Sequence, residues 1–336
     1  MRSIWIAVAT ALVGLYPGAV ARGEEAPAAP AQSITLHVET RGTGPVQMVL
    51  VPGLSCDWTV WEAFMKRNES AYTMHALTLP GFGGTEPPPT PPEGSKFSES
   101  PWINLAERAI VELIQTKRLD RPVLVGHSLG GHLACRIAAK NPGLLQSAVA
   151  VDGMPAFPLA GPGVPMTTEQ RENVAAAIYR NMTATPDEAW PEQQRTFFTQ
   201  MVTDPARGEQ LTAMCLKTPK RVASRYMAEL LGSDVIAETK ASQTPIVFFA
   251  AVAPPDVPGM TPETVKRIWA PFVDGAATLH LVYFEECRHF IMDDAPAEFD
   301  RAISQWVKGE PVEGKAATEP APQPPDHDPS ESPAKE

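Results

Sequence analysis

Val123-Leu124-Val125-Gly126-His127-Ser128-Leu129-Gly130-Gly131-His132-Leu133-Ala134 is the stretch whose reading decides the fold. Val123-Leu124-Val125 is a short β-branched and apolar run after a proline, which reads as a strand. Leu129 to Lys140 reads as a helix. Between them stands G-x-S-x-G, from Gly126 to Gly130, in a strand–turn–helix context. The turn is sharp and strained, so a Cβ at Gly126 or Gly130 would collide with the neighbouring helix or strand. Such a bend presents the Ser128 hydroxyl at the carboxyl edge of a sheet. It also sits at a helix N-terminus, which favours developing negative charge. A dinucleotide-binding turn would need a different glycine pattern and an acidic residue that are missing here.

Outward from the bend, strand and helix patterns alternate. Strands are expected at Ser33–Glu39, Val46–Val51, Tyr72–Leu79, Pro122–Val125, Gln146–Val151, Pro245–Ala250 and Leu279–Phe284. Helices are expected at Trp58–Lys66, Trp102–Thr116, Leu129–Lys140, Pro262–Phe272 and Ala295–Val307. Continuous apolar strands such as Met48-Val49-Leu50-Val51 are what a mostly parallel sheet covered by helices on both faces requires. The fold class is therefore α/β. From Gly153 to Gln243 the rhythm breaks, with helical patterns at Thr168–Met182, Glu188–Val202 and Gly208–Leu231. This is a helical insertion, 153–243, between core segments 33–152 and 244–308. Its methionines and aromatics, Met154, Phe197, Phe198, Met201 and Met214 among them, recur at the spacing of a helix core. They also suit an adaptable apolar pocket.

Both ends read differently. Met1 to Leu15 carries one early positive charge and an apolar run, and Ala19-Val20-Ala21 supplies small residues, so 1–21 has the shape of a signal peptide cleaved after Ala21. The apolar run falls short of the roughly 20 residues that span a bilayer, so no stable membrane anchor is expected. Residues 22–32 form an Ala/Pro-rich linker. The expectation is an exported protein, periplasmic or extracellular. Residues 309–336 hold seven prolines, seven acidic residues and no aromatic, a composition that cannot offset its ordering entropy, so a disordered tail is expected.

The 28 basic and 39 acidic residues leave a formal charge of −11, which excludes a surface built to neutralise nucleic-acid phosphates. Four cysteines are too few for a disulfide scaffold and show no C-x-x-C spacing for zinc. Buried free thiols are the default, and the sequence leaves any pairing open. No organic cofactor or metal is called for, and the sequence leaves the oligomeric state open.

Further motifs complete the pattern. Leu50-Val51-Pro52-Gly53-Leu54 precedes Trp58 and Trp61. Leu79-Pro80-Gly81-Phe82-Gly83-Gly84-Thr85 follows the third strand. Glu286-Cys287-Arg288-His289-Phe290 leads into Asp294-Ala295-Pro296-Ala297-Glu298-Phe299. With the elbow, these segments resemble the α/β-hydrolase family from about Ser33 to Val307. The first is similar to the family's oxyanion loop, with Pro52 where a histidine usually precedes the glycine. The second is similar to its D-x-x-G-x-G-x-S turn, with leucine or proline in the acidic slot. The third is similar to the segment that carries the catalytic histidine. The resemblance implies a helical lid in the insertion.

What the resemblance implies agrees with what the chemistry demands. A serine hydroxyl needs a base to take its proton, and His289, after the last expected strand, is the candidate. Two backbone N–H donors must stabilise the oxyanion, and these are expected at Leu129 and Leu54, with Ser55 as a near alternative. His127 and His132 flank the serine and read as packing or surface residues. His75 and His280 read as structural, while His37 and His327 lie near the termini.

The acid that orients His289 has two candidates. Asp256 lies near the family's usual position, slightly late. Asp152 ends the strand after the elbow, where some members carry it. Asp274, Asp293 and Asp294 are less well placed. The expected activity is cleavage of a carboxylic ester or related acyl bond of a small molecule through an acyl-enzyme on Ser128. The rival expectation is a catalytically silent protein of the same fold that grips a small apolar ligand under its lid.

Overall fold

The computed structural model describes residues 34–254 and 261–316. The expected signal peptide and linker, Asp256, and the tail beyond residue 316 lie outside the described residues. The strands are β1 (His37–Arg41), β2 (Val46–Val51), β3 (Tyr72–Thr78), β4 (Val123–His127), β5 (Ser147–Val151), β6 (Ile246–Val252) and β7 (Leu279–Glu285). They form one sheet in the order β1-β3-β2-β4-β5-β6-β7. Among the described strands of this sheet, β1 pairs with β3 antiparallel and the other pairs are parallel.

The helices are α1 (Glu62–Asn68), α2 (Pro101–Thr116), α3 (Leu129–Lys140), α4 (Thr168–Ala184), α5 (Trp190–Thr199), α6 (Pro205–Cys215), α7 (Lys220–Gly232), α8 (Ile236–Lys240), α9 (Pro262–Val273), α10 (Ile291–Asp294) and α11 (Pro296–Lys308). Strand alternation divides the apolar interior in two. Val49 and Val51 of β2, with Ile246 and Phe248 of β6, join a core with Ile110 of α2, Ile137 of α3 and Trp269 of α9. Met48 and Leu50, with Val247 and Phe249, join a second core with Phe64 of α1 and Phe299 and Ile303 of α11. Helices therefore cover both faces, and the continuous apolar runs follow from burial on both sides.

The interval between β5 and β6 contains α4 to α8. The expected helix over Gly208–Leu231 is two helices, because Pro219 has no N–H to continue α6 and instead starts α7. The inserted helices grip loops at the carboxyl ends of the parallel strands. Tyr226 of α7 packs on Phe82, with ring centroids 4.9 Å apart, and its hydroxyl donates to the Pro80 carbonyl at 3.3 Å. Glu229, fully buried, accepts the N–H groups of Trp102 and Ile103 at 2.8 and 3.0 Å. It thus caps α2 from a distant element, where a proline at the first helical position leaves the next donors open. Phe290 N–H donates to the Met201 carbonyl at 3.1 Å, and Arg207 pairs with Asp293 at 3.0 Å. Met154, Trp190, Phe198 and Met214 are buried.

Residues 310–316, expected within the disordered tail, make defined contacts. Glu285 N–H donates to the Lys315 carbonyl at 2.8 Å, and Phe284 bridges Lys315 in parallel. Gly314 and Lys315 thus lie beside β7, while Glu310 and Glu313 bond to Gln305 of α11; the open sheet edge offers donors and acceptors that composition alone does not reveal.

Candidate active site

Ser128 joins β4 to α3 with φ 53° and ψ −114°, a conformation costly for a residue with a Cβ. The neighbouring backbone holds it there. Ser128 N–H donates to the Val151 carbonyl at 2.9 Å, and His132 N–H donates to the Ser128 carbonyl at 3.0 Å. A Cβ at Gly126 would fall 2.0 Å from the Gly130 carbonyl oxygen, so only glycine permits the bend.

Gly53 brings the loop after β2 against this bend. A Cβ there would lie 2.7 Å from His127 Nδ1 and 3.2 Å from Ser128 Cβ. The Leu54 N–H therefore belongs to a segment packed on the serine. Leu129 is the first residue of α3, so its N–H has no partner within the helix. Among the described residues neither the Leu54 nor the Leu129 N–H donates a hydrogen bond. Ser55, the near alternative, has φ 61°.

His289 follows β7 in a loop fastened to β6, since Cys287 N–H donates to the Val252 carbonyl at 3.1 Å. Its Nδ1 lies 2.6 Å from Asp152 Oδ2, with the two side chains 12% and 13% exposed. A carboxylate only accepts, so Nδ1 carries the proton and Nε2 keeps the basic lone pair. Asp152 has φ 46° at the end of β5, and its Oδ1 accepts the Ala251 N–H at 3.1 Å. The sheet order places β5 next to both β4 and β6. That adjacency brings the serine turn, the carboxylate and its backbone anchor together.

His127 is fully buried, with its ring centroid 4.6 Å from that of His289 and 4.5 Å from that of Phe290. Its Nε2–H donates to the His289 carbonyl at 3.1 Å. Burial, reinforced by the neighbouring His289, lowers its pKa well below the ordinary histidine value, so the ring is neutral. Its position fastens the His289 loop to the residue preceding the serine. Nothing next to His127 in sequence points to this role, since the expected strand ends at Val125 and His127 reads there as a packing or surface residue.

His132 is also buried. Its Nδ1–H donates to the Met154 carbonyl at 3.0 Å, and its Nε2 accepts from the Ser233 hydroxyl at 2.9 Å. That hydroxyl accepts in turn from Arg136 at 3.2 Å. Burial first, then the Arg136 charge, lowers the His132 pKa to about 3. His75 bonds Thr40 at the sheet edge, and His280 packs on Trp306. His37 lies exposed in β1, while His327 lies outside the described residues. Asp274 follows α9, Asp293 pairs with Arg207 and Asp294 accepts the Thr203 and Arg288 N–H groups. Among the described residues no group of three or more His, Cys, Asp or Glu side chains converges as metal ligands would.

A family model described as "Alpha/beta hydrolase family" matches residues 48–302. The chain is 34% identical over 122 residues to 2-(acetamidomethylene)succinate hydrolase of Mesorhizobium japonicum, covering 36% of this chain and 40% of that protein. It is 30% identical over 131 residues to pimeloyl-[acyl-carrier protein] methyl ester esterase of Proteus mirabilis, covering 38% and 45%. The matched stretches thus span less than half the length of both relatives. The enol-lactonase of Burkholderia xenovorans has a similar fold, with a TM-score of 0.63 at 14% identity over 81% of this chain and 96% of that one.

Proposed function

The chain belongs to the α/β hydrolase family, and from that premise we propose that it is an exported serine hydrolase cleaving a carboxylic ester or related acyl bond. The observation that carries the reading is the 2.6 Å contact between His289 Nδ1 and Asp152 Oδ2, in a loop tied to the serine elbow through His127. It supports Asp152, rather than Asp256, as the acid.

The reaction follows from these groups. Ser128 Oγ attacks the substrate carbonyl while His289 Nε2 takes its proton. Asp152 holds the ring in the tautomer that leaves Nε2 basic and stabilises the imidazolium. Negative charge develops on the carbonyl oxygen, and the N–H groups of Leu129 and Leu54 stabilise it; one such donor is worth about 3 kcal/mol in the transition state. His289 passes the proton to the leaving alcohol, and an acyl group remains on Ser128. Water, deprotonated by the same imidazole, releases the acid and restores the serine.

The helices α4 to α8 act as the lid over this site, as their grip on the loops at the carboxyl ends of the strands supports. A small ester, lactone or thioester fits the chemistry, as does a diketone cleaved at carbon. The names of the relatives, an ester esterase and an enol-lactonase, support an acyl substrate. The signal-peptide shape of residues 1–21 in the sequence supports a periplasmic or extracellular location.

Turnover of short p-nitrophenyl esters tests the reading. The native chain should hydrolyse them, and Ser128→Ala and His289→Ala should each lose about 10³-fold or more in kcat. Folded native protein without activity across a panel of esters, lactones and thioesters would instead favour a ligand-binding member of the family.

A further inference from the structure

Cys56 and Cys215 are both buried, at 1% and 3% exposure, and their sulfur atoms lie 3.9 Å apart. They come from segments 159 residues apart in sequence. Cys56 sits two residues after Leu54, in the loop that follows β2. Cys215 is the last residue of α6. Cys135 and Cys287 have no cysteine within hydrogen-bonding distance.

Three further contacts hold the same segments together. Asp57 N–H donates to Met214 Sδ at 3.4 Å, Lys217 Nζ lies 3.5 Å from Asp57 Oδ2, and Thr218 Oγ1 donates to the Ser55 carbonyl at 3.4 Å. The end of α6 therefore lies along Ser55-Cys56-Asp57, and the two sulfurs face each other inside that contact. We propose that Cys56 and Cys215 are a disulfide site that locks the inserted helices onto the loop carrying the Leu54 N–H.

The geometry needs little change. A disulfide has a sulfur–sulfur bond of about 2.05 Å, so each sulfur must move inward by about 0.9 Å. The chemistry is thiol–disulfide exchange with a small-molecule or protein disulfide as oxidant. One cysteine loses its proton, and its thiolate attacks the donor to give a mixed disulfide, releasing one donor thiol. The second cysteine, deprotonated in turn, displaces the other donor sulfur. Two protein thiols are oxidised and one donor disulfide is reduced to two thiols.

Timing follows from burial. Burial and the neighbouring Cys56 push the Cys215 thiol well above its ordinary pKa, and the thiolate is the attacking species. Exchange therefore runs while the chain folds, before α6 seals the pair, and the finished bond is then shielded from reductants. An exported chain folds where such oxidants are supplied. The crosslink itself does not depend on the hydrolase reading, and thiol titration reads it without any assay of turnover.

The test is oxidative refolding of the reduced, denatured chain in a glutathione redox buffer. Thiols titrated in denaturant should fall from the four of the sequence to two, and the intact mass should drop by about 2 Da, the two hydrogens lost in the exchange. A non-reducing peptide map should show the peptides of Cys56 and Cys215 joined, and dithiothreitol in denaturant should separate them. The oxidised form should melt several degrees above the reduced one, a difference absent from Cys56→Ser and Cys215→Ser. Four thiols still titrating after refolding would overturn the proposal, as would a map that joins Cys135 or Cys287, or two chains. The map uses the native chain, so it decides even where a serine variant fails to fold.

Discussion

Asp152 divides its two carboxylate oxygens between a backbone anchor and a ring: Oδ1 takes the Ala251 N–H at 3.1 Å, and Oδ2 lies 2.6 Å from His289 Nδ1. The first contact fixes the carboxylate to β6, so the second can fix the imidazole. A histidine has one Nδ1, and Asp152 occupies it. Asp152→Asn should therefore lower kcat by about 10³- to 10⁴-fold, because an amide can present its NH₂ group and favour the wrong tautomer. Asp256→Asn should keep near-normal turnover. Steady-state kinetics on a p-nitrophenyl ester check both, and the reverse pattern would move the acid to Asp256.

His127 should act as a positioning residue. His127→Phe keeps a ring against Phe290 but removes the N–H that holds the His289 carbonyl. Misplacing a base by a fraction of an ångström slows the chemical step more than it weakens substrate binding. The expected result is a fall of about 10- to 100-fold in kcat with KM little changed. Equal changes in both constants, or a loss confined to thermal stability, would assign His127 to packing alone.

Stability should decline in mild acid. His132 has a folded pKa of about 3, while the unfolded chain titrates near ~6.5. Between those values the unfolded state binds the proton and the folded state does not. Stability is thus fullest above pH ~6.5 and falls as the pH drops toward 3, by about 2 kcal/mol between pH 7 and pH 5 from this group. Urea unfolding at the two pH values measures the loss. His132→Gln should make it smaller, and an unchanged difference would remove His132 as its source.

Glu229 couples the inserted helices to the core. It is fully buried, pairs with Arg225 at 2.6 Å and caps α2 through Trp102 and Ile103. Burial raises its pKa despite the opposing pull of Arg225. Glu229→Gln keeps an acceptor for α2 but leaves the Arg225 charge without its partner, at a cost of about 3 kcal/mol. Chemical denaturation should show a lower midpoint. An unaltered midpoint would mean that the pair contributes nothing to the fold.

Much of this architecture was legible along the chain. β2 and α3 begin and end where the sequence places them, because prolines, glycines and apolar periodicity mark their limits locally. The break inside Gly208–Leu231 was visible as Pro219, yet the apolar spacing ran across it. The loop partners were harder. Asp152 and His289 are 137 residues apart, and their meeting depends on β5 lying beside β6, which is set by sheet order rather than by either segment. His127 read as packing because nothing near it in sequence shows the carbonyl that it holds. Cys56 and Cys215 meet only through the docking of α6, and Gly314 and Lys315 are held by an open strand edge that the tail's composition does not announce.

Reaction of the folded protein with a fluorophosphonate, followed by peptide mass spectrometry, probes the serine–imidazole arrangement most directly. One phosphonyl adduct on Ser128 is expected, lost in Ser128→Ala and strongly slowed in His289→Ala. A folded native chain that stays unlabelled, or that carries its adduct on another serine, would contradict the account.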